Sequence, residues 1–319
     1  MRKPSVCVLT LIFILGNARV ALGDSTPCKC NSPDDQYVLG SDSQPQSNIP
    51  EGKVSEFRLQ KSKAYPGFEF TWWLYVPAQY DGKRSIALMV FQDGTAFVTR
   101  DGDFRVPTVL NNLIAKKELP VMAAVFVDPG EAPHGVEYAK ASDGSPLFGN
   151  TYRISARSRE YESLNAVYAN FLVDEILPQV RKQVKITDDP EGRGVGGLSS
   201  GANCAITVAW ERPDQFRKVF SAIGSFPSVL RGVPGLPKLV RASARKPLRI
   251  FLQDGTNDIA LPFAPEWGSG AERHKDLVAA LKDERYEYQY VLGEGSHSAA
   301  HAASIFPEAM RWLWRDYPR

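Results

Sequence analysis

The apolar positions change rhythm along the chain, and each rhythm predicts an element. Val54-Ser55-Glu56-Phe57-Arg58-Leu59 alternates, the chain turns at Ala64-Tyr65-Pro66-Gly67, and Phe68 to Val76 is rich in aromatic and β-branched residues. Together these predict an antiparallel hairpin at one edge of a sheet. After a turn at Pro77 to Lys83, Ile86 to Gln92 is an uninterrupted run, the pattern of a strand buried on both faces in a parallel sheet. Val106 to Leu119 predicts a helix with Pro107 in its first turn, and Val121 to Val127 another buried strand.

A polar segment from Asp128 to Arg159 follows, and then Tyr161 to Val184 has helical spacing, with Tyr168, Phe171, Leu172, Ile176, Leu177 and Val180 on one side. Arg193 to Gly196 predicts a short strand, Ser200 onward a helix ending before Pro213, and Lys218 to Ile223 a strand. Leu248 to Leu252 and Tyr286 to Leu292 predict two more strands, Gly270 to Lys282 and Ala299 to Trp314 two more helices. Strand and helix alternate throughout, so the expected architecture is one doubly wound, mostly parallel α/β sheet with helices on both faces. No internal repeat or interdomain linker interrupts it, and residues 52–319 are expected to form a single domain.

The two ends of the polarity scale lie upstream. Residues 1–23 have Arg2 and Lys3 at the start, an apolar stretch from Val6 to Leu15 and a small-residue site at Ala21-Leu22-Gly23, the pattern of an export signal cleaved before Asp24. The stretch is too short to span a bilayer comfortably, so a secreted or periplasmic protein without stable membrane insertion is expected, with an uncleaved anchor as the rival reading. Asp24 to Glu51 is rich in Ser, Pro, Asp, Gln and Gly without apolar periodicity, which predicts a poorly ordered or loosely draped lead-in.

Composition narrows the function classes. The chain has 319 residues, enough to bury a substantial core, and a net charge of +2, which gives no reason to expect nucleic acid or a membrane surface as partner. Of four cysteines, Cys7 lies in the signal, Cys28 and Cys30 are too close to pair without strain, and Cys204 reads as a buried apolar residue. Neither a zinc spacing nor a disulfide framework is present, and no metal or organic cofactor is expected.

The candidate chemistry centres on Gly194 to Ala202. Within it Gly197-Leu198-Ser199-Ser200-Gly201 spells G-x-S-x-G, the elbow that holds a serine exposed between a strand and a helix. The pattern alone is weak, since a Gly-rich turn is usually only a turn; the predicted strand before it and helix after it strengthen the reading. A serine hydroxyl needs a base and an acid to become a nucleophile, and on an elbow these follow in the order Ser, Asp or Glu, His.

Three histidines follow. His274 falls inside a predicted helix and is expected to face solvent, His301 is expected in the first turn of the last helix, and His297 lies in Gly293-Glu294-Gly295-Ser296-His297-Ser298, a loop directly after a strand. Loops at the carboxyl ends of strands carry the chemistry in open α/β sheets, which favours His297 over His301. For the acid, Asp254 is read as one residue past its strand, where it closes an Asp-Gly turn, and Asp258 beyond that turn is favoured. Oxyanion donors are expected from the Ser200 N–H and from Gly94 or Thr95, in the loop after the third strand.

Five segments carry a family resemblance: Val90-Phe91-Gln92-Asp93-Gly94, Ile186 to Arg193, Gly197 to Gly201, Phe251 to Asp258 and Gly293 to His297. From about Tyr37 to Pro318 the chain resembles the enterochelin-esterase-like branch of the α/β-hydrolases, which is itself similar to feruloyl and acetyl-xylan esterases. The resemblance implies that Ser199 is the nucleophile, His297 the base and Asp258 the acid, and that Arg157, Glu160 and Tyr161 border the substrate cleft. The chain departs from the family at Ala202-Asn203, where a second glycine is usual, and in the loop from Ala260 to Gly270. Trp267 in that loop is a candidate platform for a sugar or phenolic ring, against the ordinary core role of an aromatic. The function this implies is ester hydrolysis on acyl or feruloyl groups of polysaccharide, with a siderophore ester as the alternative and a catalytically inactive binding module as the rival from another class.

Overall fold

The computed structural model describes residues 32–131, 157–226, 235–258 and 270–319. The strands are β1 (Lys53–Leu59), β2 (Phe70–Val76), β3 (Ala87–Gln92), β4 (Met122–Val127), β5 (Arg193–Leu198), β6 (Lys218–Ala222), β7 (Arg249–Gly255) and β8 (Glu287–Gly293). They form one eight-stranded sheet in the order β1-β2-β4-β3-β5-β6-β7-β8. β1 and β2 pair antiparallel, β2 joins β4 antiparallel, and every other pairing is parallel. The expected edge hairpin and mostly parallel sheet are therefore both present, and the architecture is that of an α/β-hydrolase.

The helices follow in chain order: α1 (Gly94–Val98), α2 (Val106–Ala115), α3 (Arg157–Tyr161), α4 (Val167–Phe171), α5 (Leu177–Arg181), α6 (Ser200–Glu211), α7 (Leu236–Ala242), α8 (Gly270–Asp283), α9 (Ala300–Ser304) and α10 (Phe306–Trp314). Two predicted helices are broken for identifiable reasons. The stretch read as Tyr161 to Val184 is non-helical over residues 162–166 and helical from Val167 to Arg181, where it widens to a π turn at Leu172–Ile176 just ahead of Pro178, whose ring and missing N–H oppose a regular i→i−4 ladder. The closing helix is interrupted at Ile305 and restarts with Pro307 in its first turn. The helix α7 is an addition that the apolar pattern did not announce.

Strand parity divides the core. Leu88 and Val90 of β3 join a cluster with Val195, Val219, Ile250, Ile206 and Leu277, whereas Met89 and Phe91 join Phe126, Phe220, Phe251, Val109 and Met310 on the opposite face. Successive side chains of a strand point to opposite faces, so a continuous apolar run in β3 fills two layers at once. On the second face the rings of Phe91, Phe97 and Phe104 stack with centroids 4.8 and 4.4 Å apart, and Phe97 thereby seats α1 on the sheet.

The part of the lead-in within the described residues is tied to the domain. Asn112 Nδ2 donates to the carbonyls of Asp42 and Gln44 at 2.9 Å each, and the Asp42 carboxylate sits between Lys116 and Arg311. Burial works against that carboxylate, but the two cations outweigh it and lower its pKa. The segment has little regular structure, yet it is anchored by side chains that a composition-based reading cannot see.

Candidate active site

The glycine-rich β5 exists because its neighbours leave it no room. A Cβ at Gly197 would overlap the Gly201 carbonyl, and one at Gly201 would lie 2.5 Å from Asp93 Oδ2, so strand, helix and the loop after β3 meet within contact distance. Ser199 stands at the junction with φ 54° and ψ −123°, a conformation that L residues rarely adopt. The surrounding ladder holds it there. Ser199 N donates to Ala222 O at 2.9 Å, and Ser199 O accepts from Ala202 N and Asn203 N at 3.1 and 3.3 Å, which starts α6.

The two expected partners meet the serine. His297, from the loop after β8, has Nε2 2.9 Å from Ser199 Oγ and Nδ1 2.5 Å from Asp258 Oδ1. A carboxylate only accepts, so Nδ1 carries the proton and Nε2 is left to accept from the Ser199 hydroxyl. The Asp258 side chain is fully buried and that of His297 is 23% exposed, so the imidazole has solvent on one side and the acid does not.

His301 and His274 are placed elsewhere. His301 is in the first turn of α9, buried, with its ring stacked on Tyr37 at 4.2 Å; its Nδ1 accepts from Gln253 Nε2 at 2.9 Å, and burial lowers its pKa. His274, expected to face solvent, is instead fully buried, with Nδ1 2.6 Å from Asp254 Oδ2 and its ring stacked on Tyr290 at 5.7 Å. The reason is helical spacing: His274, Leu277 and Leu281 recur at i, i+3 and i+7, the buried face of α8. Asp254 is likewise not past its strand but inside β7, opposite Leu292. Burial raises its pKa, against the lowering effect of His274.

The oxyanion candidates separate as well. Thr95 N donates to Asp128 Oδ1 at 2.8 Å and Thr95 Oγ1 donates to Asp128 Oδ2 at 2.5 Å, so the Thr95 amide is already engaged. Gly94 opens α1 and its N–H has no acceptor within that helix, as is also true of Ser200 at the start of α6.

Of the residues the family resemblance places around the cleft, Glu160 and Tyr161 are buried at 1% and 0% exposure, Tyr161 against the loop after β3 and Glu160 against the segment after β4. Tyr161 Oη accepts from Asp93 N at 3.0 Å, and Glu160 accepts from Gly130 N at 3.1 Å. Burial pushes Glu160 up to about 8. Arg157, partly exposed, grips Asp93 with Nε–Oδ1 at 2.8 Å and Nη2–Oδ2 at 2.9 Å and lies over the Tyr161 ring at 5.3 Å. Burial opposes the Arg157 charge, but Asp93 outweighs it and raises its pKa. Trp267, residues 1–23, Cys28 and Cys30 lie outside the described residues. Cys204 is buried, as read, and burial raises its pKa well above the ordinary thiol value.

Several neighbours of Ser199 had no motif to announce them. Ser225 Oγ lies 3.4 Å from Ser199 Oγ, Glu162 Oε1 accepts from Ser200 Oγ at 3.3 Å, and Asn203 Nδ2 donates to Tyr161 O at 3.0 Å. Asn203, in the departure from the family pattern, thus ties α6 to α3. Ser225 follows β6 at the carboxyl edge of the sheet, a position that a search of every post-strand loop would have flagged.

The chain matches the family model described as "Putative esterase" over residues 64–313. No curated protein matches it by sequence. Among solved structures it is similar to the enterochelin esterase of Shigella flexneri, with 20% identity and a TM-score of 0.66 over 88% of this chain and 62% of that one. The ferric enterobactin esterase of Salmonella typhimurium gives 19% identity and a TM-score of 0.65 over 88% and 62%. The ferulic acid esterase of the anaerobic fungus Anaeromyces mucronatus gives 17% and 0.61 over 87% and 94%. The chain thus spans about three fifths of the enterobactin-type enzymes and nearly all of the fungal one, and at these identities the likeness is one of fold. By the family match, this chain belongs to that esterase family, and its architecture is the α/β-hydrolase fold.

Proposed function

We propose that the protein hydrolyses carboxylic esters through Ser199, His297 and Asp258. The observation that carries this reading is the continuous chain of contacts from Ser199 Oγ to His297 Nε2 and from Nδ1 to Asp258, set on a strained elbow. Ser199 Oγ attacks the ester carbonyl while His297 Nε2 takes its proton. Asp258 fixes the tautomer and stabilises the imidazolium. The carbonyl oxygen becomes an oxyanion facing the N–H groups of Ser200 and Gly94, the donor left once Thr95 is bound to Asp128. His297 then protonates the leaving alcohol oxygen, and the acyl group stays on Ser199. Water attacks the acyl-serine, gives its proton to His297, and the acid departs as Ser199 regains its hydrogen.

For substrate, the enterobactin-type enzymes among the similar structures favour a siderophore-type ester. A feruloyl or acyl ester on polysaccharide is the second reading, favoured by the near-complete coverage of the fungal ferulic acid esterase and by the export expected of residues 1–23. No helix among the described residues is long and apolar enough to cross a membrane. The test is turnover of p-nitrophenyl acetate, enterobactin and methyl ferulate by the protein and by Ser199→Ala. We expect hydrolysis that Ser199→Ala abolishes and a preference for enterobactin. Equal rates for the two proteins would sink the esterase mechanism, and a preference for methyl ferulate would reverse the order of substrates.

A further inference from the structure

The loop that carries His297 is irregular, so its backbone polar groups need partners outside any ladder. They divide by direction. The carbonyls of Gly293, Glu294 and Gly295 accept from the acid-bearing loop, through Thr256 N at 2.8 Å, Asn257 Nδ2 at 2.5 Å and Asn257 N at 3.1 Å. The amides point the other way. Glu294 N donates to Tyr37 Oη at 2.7 Å and Ser296 N donates to Asp34 Oδ1 at 2.9 Å, while Ser296 Oγ donates to Asp34 Oδ2.

Asp34 and Tyr37 come from one tight turn, closed by Tyr37 N donating to Asp34 O at 3.0 Å, so both side chains reach the same loop from upstream of β1. Contact is close on this side as well: a Cβ at Gly295 would lie 3.1 Å from Asp34 Oδ1 and 3.3 Å from Tyr37 Cε2. The Tyr37 ring stacks on His301, which Gln253 anchors to β7. The histidine loop is therefore gripped between the acid loop and a strap that belongs to the expected loose lead-in.

We infer that Asp34 and Tyr37 are positioning residues for His297, holding the amides of Glu294 and Ser296 so that the imidazole stays in line between Ser199 and Asp258. The catalytic consequence rests on the esterase reading; the strap itself does not. An imidazole displaced by about an ångström loses much of its effect on the nucleophile, whereas the binding of substrate has no need of the strap.

The test combines amide hydrogen exchange of the peptide spanning residues 290–299 with p-nitrophenyl acetate kinetics, on the full chain and on Asp34→Ala, Asp34→Asn and Tyr37→Phe. Asp34→Ala is expected to speed exchange in that peptide about tenfold and to lower kcat about tenfold, with KM within about twofold and the thermal midpoint little changed. Tyr37→Phe, which keeps the stacking and loses only the acceptor, should do the same more weakly. Asp34→Asn keeps an acceptor for Ser296 N and should restore most of kcat. Unchanged exchange in Asp34→Ala would overturn the strap, and faster exchange with unchanged kcat would overturn its positioning role. Equal loss in the Asn and Ala variants would also count against it. If the unaltered protein shows no Ser199-dependent turnover, the esterase reading fails and the catalytic role with it, while exchange still decides whether the strap exists.

Discussion

Two aspartates four residues apart at the end of β7 each hold a histidine, and only one pair has the surroundings for chemistry. Asp258 lies beyond the strand, and its His297 is 23% exposed and touches Ser199 Oγ. Asp254 lies within the strand, and its His274 is sealed beneath the sheet against Tyr290 and Phe226. Pairing distances of 2.5 and 2.6 Å do not distinguish them. What separates them is a nucleophile and access to solvent. An Asp–His pair is thus a shared chemical part, set once against a serine hydroxyl and once between α8 and β7.

The largest expected effect breaks the two roles apart. His297→Ala should lower kcat on p-nitrophenyl acetate by about 10⁴-fold or more with little change in stability. His274→Ala should leave kcat of the folded protein within about tenfold and cost about 1–3 kcal/mol in chemical denaturation, because it leaves the buried Asp254 without its hydrogen-bonding partner. Loss of turnover in folded His274→Ala, or a stable and fully active His297→Ala, would erase the distinction. The Asn variants sharpen it: Asp258→Asn should cost about 10⁴-fold in kcat through the wrong tautomer, and Asp254→Asn should act mainly on stability.

This comparison also shows what the sequence makes legible. The elbow and its serine could be read because G-x-S-x-G has a backbone cause, and His297 and Asp258 because post-strand loops are ordered along the chain. His274 was misplaced by the charged residues beside it in α8, although its own spacing to Leu277 and Leu281 marks the buried face. Asp254 was misplaced by one boundary: the ladder with β8 runs to Gly255, three residues past the last apolar side chain. Glu160 and Tyr161 were placed beside the cleft by analogy, and nothing local reveals their burial or their bonds to the Gly130 and Asp93 amides. The contacts of Asp34, Tyr37 and Asp128 join segments far apart in the chain, and pairing of that kind leaves no local pattern.

A smaller effect concerns the other half of the site. Arg157 holds Asp93 through two parallel bonds, and Asp93 directly precedes the proposed donor Gly94. Arg157→Ala should release that loop and lower kcat about 10–100-fold, less than the loss of an oxyanion donor itself, with KM nearly unchanged. Arg157→Lys should fall between, because an ammonium lacks the planar fork. A change confined to KM would place Arg157 against the substrate instead.

The smallest effect on turnover is expected at Glu160, the third buried acid near the site, whose partner is a backbone amide and not a histidine. Burial pushes its carboxyl from 4.5 to about 8, so the folded protein holds a proton there that the unfolded chain has released. Between those values the folded state binds more protons than the unfolded one, and stability falls as pH rises, by at most about 1.4 kcal/mol per pH unit. The contribution is fully present below about pH 4.5 and lost as pH passes about 8. Glu160→Gln keeps an acceptor for Gly130 N–H without the titration. Denaturation from pH 5 to 8 should therefore show a shallower decline for the variant than for the unaltered protein, with kcat at pH 7 unchanged. Parallel pH profiles would mean that Glu160 is ionised in the folded state, and that burial near this site does not by itself keep an acid neutral.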